Sequence, residues 1–138
     1  MREGEVLIIT NGAMTQRALT AAELLSLKGI ECGVLHVHTV KPLDQDIAKH
    51  VQRARMVVII EEHTLVGGLS SACMELLVDT LGCVNVPPIH RFGLPDQFVQ
   101  EYGDQDSLLE RFGLQPAKLA QRIAALVKHP LSSEMVKA

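Results

Sequence analysis

The sequence predicts an α/β fold, a three-layer α/β/α sandwich built around a largely parallel sheet. Short apolar runs alternate along the chain with stretches of helical spacing. The clearest run, residues 56–60, contains no polar alternation, which is typical of a strand buried on both faces of a parallel sheet. The chain of 138 residues has the length of one domain. Right-handed crossovers are therefore expected to place helices on both sides of the sheet.

The first half of the chain predicts two strand–helix units. Residues 6–9 form the first predicted strand. The helix after it is expected to end at Gly29, because glycine suits a left-handed carboxy-terminal cap. Residues 33–37 form the second strand, and Asp44 is predicted to cap the next helix.

The second half continues the alternation after the clear strand at 56–60. A helix is predicted after Gly68 and is expected to end at Gly82. Residues 84–90 contain two prolines, so they are predicted to form an edge strand, where a missing N–H is tolerated. Pro116 suits the first turn of the last helix.

Composition excludes several classes of function. The formal net charge is −3 and the pI about 6.0, which argues against a nucleic-acid-binding protein. The longest apolar runs are far too short to cross a membrane, and no export signal is expected. Three cysteines without a C-x-x-C pair, Cys32, Cys73 and Cys83, indicate reduced thiols in the cytoplasm. We expect one domain over residues 1–129 and a flexible tail over 130–138.

The Gly67-Gly68 pair is a weak candidate for an anion site. It lies between a strand and a helix start, where free amides and the helix dipole favour a phosphate. The surrounding sequence matches neither G-x-G-x-x-G nor a P-loop. The favoured interpretation is a tight turn that lets the helix pack closely on the sheet.

Two other polar groups are candidates for a catalytic or a metal site. Glu61, Glu62 and His63 follow the clear strand, and Glu61 and His63 are expected to share one face. A hydrogen-bonding role is favoured there over catalysis, because functional sites also need convergent partners. His36 and His38 share a face as well, but no further ligand completes a zinc set. No catalytic residue and no metal site are therefore predicted.

All four aromatic residues lie in the segment 91–112, which is rich in turn residues. The segment is predicted to be an extended surface loop, and long loops in compact domains tend to be functional or to form interfaces. Aromatic and arginine side chains are enriched at interfaces. The alternative is that the rings fix the loop to its own domain. The interface candidates are Arg91, Phe92, Phe98, Tyr102 and Phe112.

Six blocks of sequence, in order, resemble the carboxy-terminal domain of transketolases. They are Arg2-Glu3-Gly4, Asn11-Gly12-Ala13-Met14, the block from His38 to Asp44, the block from Glu61 to Ala72, the block from Phe92 to Val99, and the block from Leu108 to Leu114. Positions that match the family motifs include Lys41, Pro42, Glu62, His63, Gly67 and Gly68. The resemblance covers about residues 2–127, and one departure is Ser70, where many relatives have glycine.

The resemblance implies a five-stranded mixed sheet with one antiparallel edge strand. It also implies a parent enzyme that transfers a two-carbon ketol unit between sugar phosphates with thiamine diphosphate and Mg²⁺. In that family the cofactor lies between two other domains, so this chain is expected to bind no cofactor and to be inactive alone. Whether the chain is a natural subunit or a fragment stays open.

Three functions follow from the resemblance and the glycine pair. The first is a non-catalytic domain that assembles with the thiamine-binding domains or subunits, as a homo-oligomer in the full enzyme. The second is a docking domain like that of 2-oxo-acid dehydrogenase beta subunits, or the carboxy-terminal domain of deoxyxylulose-phosphate synthase. The third is a free-standing domain that binds a small anion. No nucleic-acid or membrane partner is expected.

Overall fold

A computed structural model of the chain describes residues 5–64, 67–82, 85–94 and 109–128. The strands and helices follow one another as β1 (Val6–Thr10), α1 (Met14–Ser26), β2 (Cys32–His36), α2 (Ile47–Arg53), β3 (Met56–Thr64), α3 (Leu69–Leu81), β4 (Ile89–Leu94) and α4 (Pro116–Lys128). Among these helices, none has the length and apolar character that a membrane span needs.

The described strands form one parallel sheet in the order β2-β1-β3-β4. Each of the three neighbouring pairs is parallel, which confirms the predicted α/β class and its parallel sheet. The fifth, antiparallel strand implied by the resemblance is not among the described residues and stays a prediction.

The core lies in two layers, one on each face of the sheet. Alternate residues of the central strands β1 and β3 contribute to opposite layers, since successive side chains of a strand point to opposite faces. Val6, Ile8, Met56, Val58 and Ile60 pack with buried residues of α1 and α4. Leu7, Ile9, Val57 and Ile59 pack with buried residues of α2 and α3. This arrangement is the predicted helix–sheet–helix layering.

Helix ends follow the sequence signals closely. Gly29 has a φ of 79° just beyond α1, and Gly82 has a φ of 67° at the end of α3, so both lie where L-residues are strained. The prediction that Asp44 caps α2 is wrong, because α2 begins at Ile47 and its N-cap residue is Asp46. The Asp44 carboxylate instead accepts a hydrogen bond from the Asp46 amide at 2.9 Å, in the turn that leads into the helix.

The structure around residue 90 differs from the predicted edge strand at 84–90 and the predicted loop at 91–112. β4 begins at Ile89, after the two prolines, and continues through Arg91 and Phe92, so the predicted surface loop is wrong for residues 91–94. Proline has no N–H to donate to the ladder, whereas the Pro88 carbonyl accepts from the Val57 amide at 2.9 Å. Among the described strands β4 is an edge strand, as predicted.

Some predictions concern residues outside the described ranges. They include the aromatic candidates Phe98 and Tyr102, the third cysteine Cys83 and the tail over 130–138. The domain limit at residue 129 also stays a prediction.

Candidate functional site

The polar candidates converge at the carboxyl edge of the sheet, where open α/β folds place their ligands. β1 ends at Thr10, β2 at His36, and β3 continues through Glu61. The amino-terminal turns of α1 and α3 lie at the same edge, because each helix follows one of these strands. The two turns contain different side chains.

The turn of α3 is capped by a carboxylate from the neighbouring strand. Glu61 is 0% exposed, and its Oε2 accepts a hydrogen bond from the Ser70 amide at 2.8 Å. The N-cap residue of α3 is Gly68, which makes no side-chain capping bond. A negative charge at this position is favoured by the helix dipole, so Glu61 performs the capping from β3.

Arg91 extends this cluster to the surface. Its Nε donates to Ser70 Oγ at 2.9 Å, and its Nη2 lies 3.5 Å from Ser71 Oγ. The Gly67 amide donates to Ser71 Oγ at 3.0 Å. Glu61, two serines and Arg91 thus form a connected hydrogen-bond network from the core to an exposed guanidinium.

This network bears on the anion candidate at Gly67-Gly68. The Gly67 amide is already bonded within the turn, and a phosphate at the start of α3 would meet the buried Glu61 carboxylate. Gly67 has a φ of 77°, which requires glycine for conformational reasons. The geometry favours the tight-turn interpretation over an anion site there.

The Glu61–Glu62–His63 trio is only partly described. Glu62 is half-buried, and the side chain of His63 lies outside what the structure describes, so the Glu61–His63 pairing stays a prediction. Glu61 Oε1 is buried without a hydrogen-bond partner among the described residues. Burial, reinforced by the Glu61 charge, raises the pKa of Cys73 to about 12, which keeps this core thiol unreactive.

The two histidines predicted to share a strand face lie close together, although β2 ends at His36 and His38 follows it. The His36 and His38 rings are 4.4 Å apart, edge to face, and His36 Nδ1 is 2.6 Å from Thr15 Oγ1 of α1. They border a cavity of about 230 Å³ with Asp44 and His50. In the described ranges no three ligating side chains are arranged to hold a metal ion.

Phe92 lies inside its own domain. The ring is 6% exposed, and the Arg122 guanidinium stacks over it at 3.9 Å from the centroid. Arg122 Nη1 also lies 3.4 Å from the Phe112 carbonyl and 3.3 Å from the Gly113 carbonyl, and burial lowers the pKa of Arg122. These contacts support the alternative that the rings fix the segment to its own domain.

The remaining candidates lie at the surface. Arg91 is exposed and Phe112 is half-buried. Lys41 and Pro42 are exposed in the connection from β2 to α2 and are joined by a cis peptide bond. Arg122 was missed by the sequence analysis, although an arginine between the apolar positions of α4 was a usable signal.

Comparison with known proteins decides the family. The family model described as "Transketolase, C-terminal domain" matches residues 2–119. The chain belongs to the transketolase C-terminal domain family. This confirms the resemblance found in the sequence blocks.

Curated relatives of this family domain are longer than the chain. A 1-deoxy-D-xylulose-5-phosphate synthase 2 from Geobacter sulfurreducens is 43% identical over 124 residues, which are 89% of this chain and 19% of the relative. An uncharacterized transketolase family protein from Sinorhizobium fredii is 40% identical over 126 residues, 89% of this chain and 36% of the relative. The chain thus spans well under half the length of these relatives.

Solved structures agree on the fold. A split-gene transketolase, described as an "inactive beta4 tetramer", superimposes with a TM-score of 0.78 at 29% identity. The match covers 92% of this chain and 40% of that protein. A transketolase from Campylobacter jejuni superimposes with a TM-score of 0.62 at 18% identity over 91% of this chain and 17% of its own. At that lower identity the likeness concerns the fold alone.

Proposed function

We propose that this transketolase C-terminal domain is a non-catalytic part of a thiamine-diphosphate-dependent enzyme and assembles with its thiamine-binding domains or subunits. The parent reaction is transfer of a two-carbon ketol unit between sugar phosphates. The observation that carries the proposal is the family match over residues 2–119, combined with relatives of which the chain spans 36% and 19%. The rest of those proteins has no counterpart in this chain.

The glycine turn before α3 does not fit the diphosphate of thiamine diphosphate, and the described residues do not fit Mg²⁺. A diphosphate needs free amides or cationic side chains, but the glycine turn before α3 is bonded internally and holds the Glu61 carboxylate. Mg²⁺ needs converging oxygen ligands, and no such group is found in the described ranges. We therefore assign no catalytic step to this chain.

Reconstitution tests the proposal. The 138-residue chain is titrated calorimetrically with thiamine diphosphate and Mg²⁺, alone and after co-expression with the thiamine-binding domains or subunits of the same enzyme. We expect no micromolar binding by the chain alone, and binding together with ketol transfer in the co-purified complex. Micromolar binding by the chain alone, or full activity of the other subunits without it, contradicts the proposal.

A second candidate is the carboxy-terminal domain of a 1-deoxy-D-xylulose-5-phosphate synthase. The relative with 43% identity favours it, because that protein bears this name. The same reconstituted complex distinguishes the two enzymes by product. Formation of 1-deoxy-D-xylulose 5-phosphate supports the synthase, and ketol transfer between sugar phosphates supports the transketolase.

We further infer that this protein has three finer features of the family. These are a fifth, antiparallel strand, a homo-oligomeric full assembly and a cytoplasmic location. The similarity to the tetrameric split-gene transketolase supports assembly from separate chains. The free thiols Cys32 and Cys73 support a reducing compartment. Of the interface candidates, exposed Arg91 and half-buried Phe112 remain the described residues best placed to contact a partner.

A further inference from the structure

The amino-terminal turn of α1 lacks the carboxylate that caps α3. α1 has 13 residues, its N-cap Ala13 makes no side-chain capping bond, and its first turn contains no acidic residue. The Thr15 amide is bonded to the Gly12 carbonyl at 3.2 Å. The positive end of the helix dipole therefore faces the carboxyl edge of the sheet without a negative side chain of its own.

A buried hydroxyl is directed to the same place. Thr10 is 0% exposed, and its Oγ1 has no hydrogen-bond partner among the described residues. Ile8, on the same side of β1, packs in one cluster with Met14 and Ala18 of α1. Strand alternation thus places the Thr10 side chain on the α1 side of the sheet, at the strand end that leads into the first turn. An orphaned buried hydroxyl at such a point indicates a missing partner.

The threonine and histidine side chains at this turn carry no negative charge, and the space beside it is open. Thr15 Oγ1 and His36 Nδ1 lie 2.6 Å apart, and the His38 ring packs edge-on against His36. Gly12 has a φ of 56°, and no atom lies within 4 Å of the position that a Cβ would occupy. A ligand of a few atoms can therefore approach the turn without displacing a side chain.

We propose that the first turn of α1 binds a phosphate group, either as inorganic phosphate or as the phosphate of a small sugar phosphate. Free amides at a helix start and nearby hydroxyls are the groups that recognise phosphate in proteins. Asp44 and Asp46 line the cavity that the histidines border, and Asp46 is paired with Lys49 at 2.9 Å. No residue of the described helix α1 lines that cavity, so the phosphate is placed at the turn of α1, apart from the two aspartates.

A nuclear magnetic resonance titration of the full 138-residue chain tests this site. Inorganic phosphate and glycerol 3-phosphate are added separately, with sodium chloride at matched ionic strength as the control. We expect saturable shifts of the amides of residues 12–15, and none for the amides of residues 67–70, where Glu61 occupies the turn. Tighter binding of glycerol 3-phosphate assigns the site to a phosphate ester, and equal binding assigns it to the free anion. Absence of saturable shifts at residues 12–15 overturns the proposal.

Two variants separate binding from folding. Ala13→Asp adds a carboxylate at the start of the helix, where Ala13 has helical dihedral angles and the helix dipole favours a negative charge, so the helix is kept while affinity for phosphate falls about tenfold. Thr10→Val keeps the side-chain shape and removes the hydroxyl, and we expect weaker binding. Ser71→Ala, in the turn of α3, is the matched control and should bind like the wild type. Wild-type affinity in Ala13→Asp or in Thr10→Val overturns the proposal, which does not depend on assembly with thiamine-binding domains.

Discussion

The first turns of α1 and α3 lie at the same edge of one sheet but are satisfied in different ways. The turn of α3 receives the buried Glu61 carboxylate on the Ser70 amide. The turn of α1 begins at Ala13 without a capping side chain, and the buried Thr10 hydroxyl next to it has no hydrogen-bond partner in the described part of the chain. One site is closed by the protein itself, and the other is left for an external anion.

The difference shows that a glycine pair is a poor guide to an anion site in this domain. Gly67-Gly68 gives α3 the more conspicuous sequence, yet a neighbouring strand supplies the negative charge there. What decides whether a helix start can take a ligand is the charge already present beside its amides. Four substitutions test this comparison, in descending order of expected effect.

Removing the resident carboxylate should have the largest effect. Glu61→Ala leaves the buried Ser70 amide without its acceptor, and we expect a loss of about 2 kcal/mol in the free energy of unfolding. Urea denaturation followed by circular dichroism measures it. Glu62→Ala, at the half-buried neighbour, is the control and should change stability by less than about 0.5 kcal/mol. Equal effects of the two substitutions would mean that the burial cost of Glu61 cancels its capping bond.

Removing the unpartnered Thr10 hydroxyl beside α1 should increase the free energy of unfolding instead of lowering it. Thr10→Val replaces a buried hydroxyl without a hydrogen-bond partner among the residues that the structure describes, so we expect a gain of about 1 kcal/mol in the free energy of unfolding in phosphate-free buffer. Thr20→Val serves as the control, because Thr20 Oγ1 donates to the Gln16 carbonyl at 3.1 Å and gives no such gain. A loss of stability in Thr10→Val would show that its hydroxyl is already hydrogen-bonded in solution.

Supplying α1 with a cap of its own should give a smaller gain. Ala13→Asp allows a carboxylate to accept from the first-turn amides, and we expect about 0.5 kcal/mol of added stability by thermal denaturation. The gain should shrink at high salt, because the charge–dipole part is screened. Unchanged stability at low ionic strength would contradict the description of this turn as uncapped.

The smallest effect is expected at the surface contact of α1. Thr15→Val removes the 2.6 Å contact with His36 Nδ1, and exposed partners can bond to water instead. We expect a loss below about 0.5 kcal/mol in urea denaturation. A loss as large as that of Glu61→Ala would make the α1 turn a structural cluster of its own and remove the contrast with α3.

Much of the fold could be predicted from local patterns. The run at residues 56–60 marked a central strand, and Gly29 and Gly82 marked two helix ends, because these signals depend only on neighbouring residues. The run from Arg91 to Leu94 was missed as a strand, since Gly93 and the turn residues that follow in the segment 91–112 indicate a loop. Only the pairing of β4 with β3 outweighs that local preference, and pairing is a long-range interaction.

The sequence predicted which residues lie at the candidate site, but it did not predict the contacts that these residues make. The sequence singled out Glu61 and the glycine pair because they follow a strand, and His36 because its spacing from His38 places both on one strand face. It could not tell that Glu61 bonds to Ser70, nine positions away, or that Arg122 covers Phe92, since such contacts depend on how helices cross the sheet. The Thr10 hydroxyl gave no sequence signal at all.

By itself the sequence determined the α/β class, the carboxy-terminal ends of α1 and α3, and the family. The first two follow from periodicity and glycine positions, and the family follows from its sequence blocks. The tertiary structure decided which helix start is filled. Strand alternation turns Glu61 toward α3 and Thr10 toward α1, and the packing of each helix then sets which amides the side chain can reach. Because a one-residue step in a strand reverses the face, the same edge of the sheet contains one turn with a charge of its own and one without.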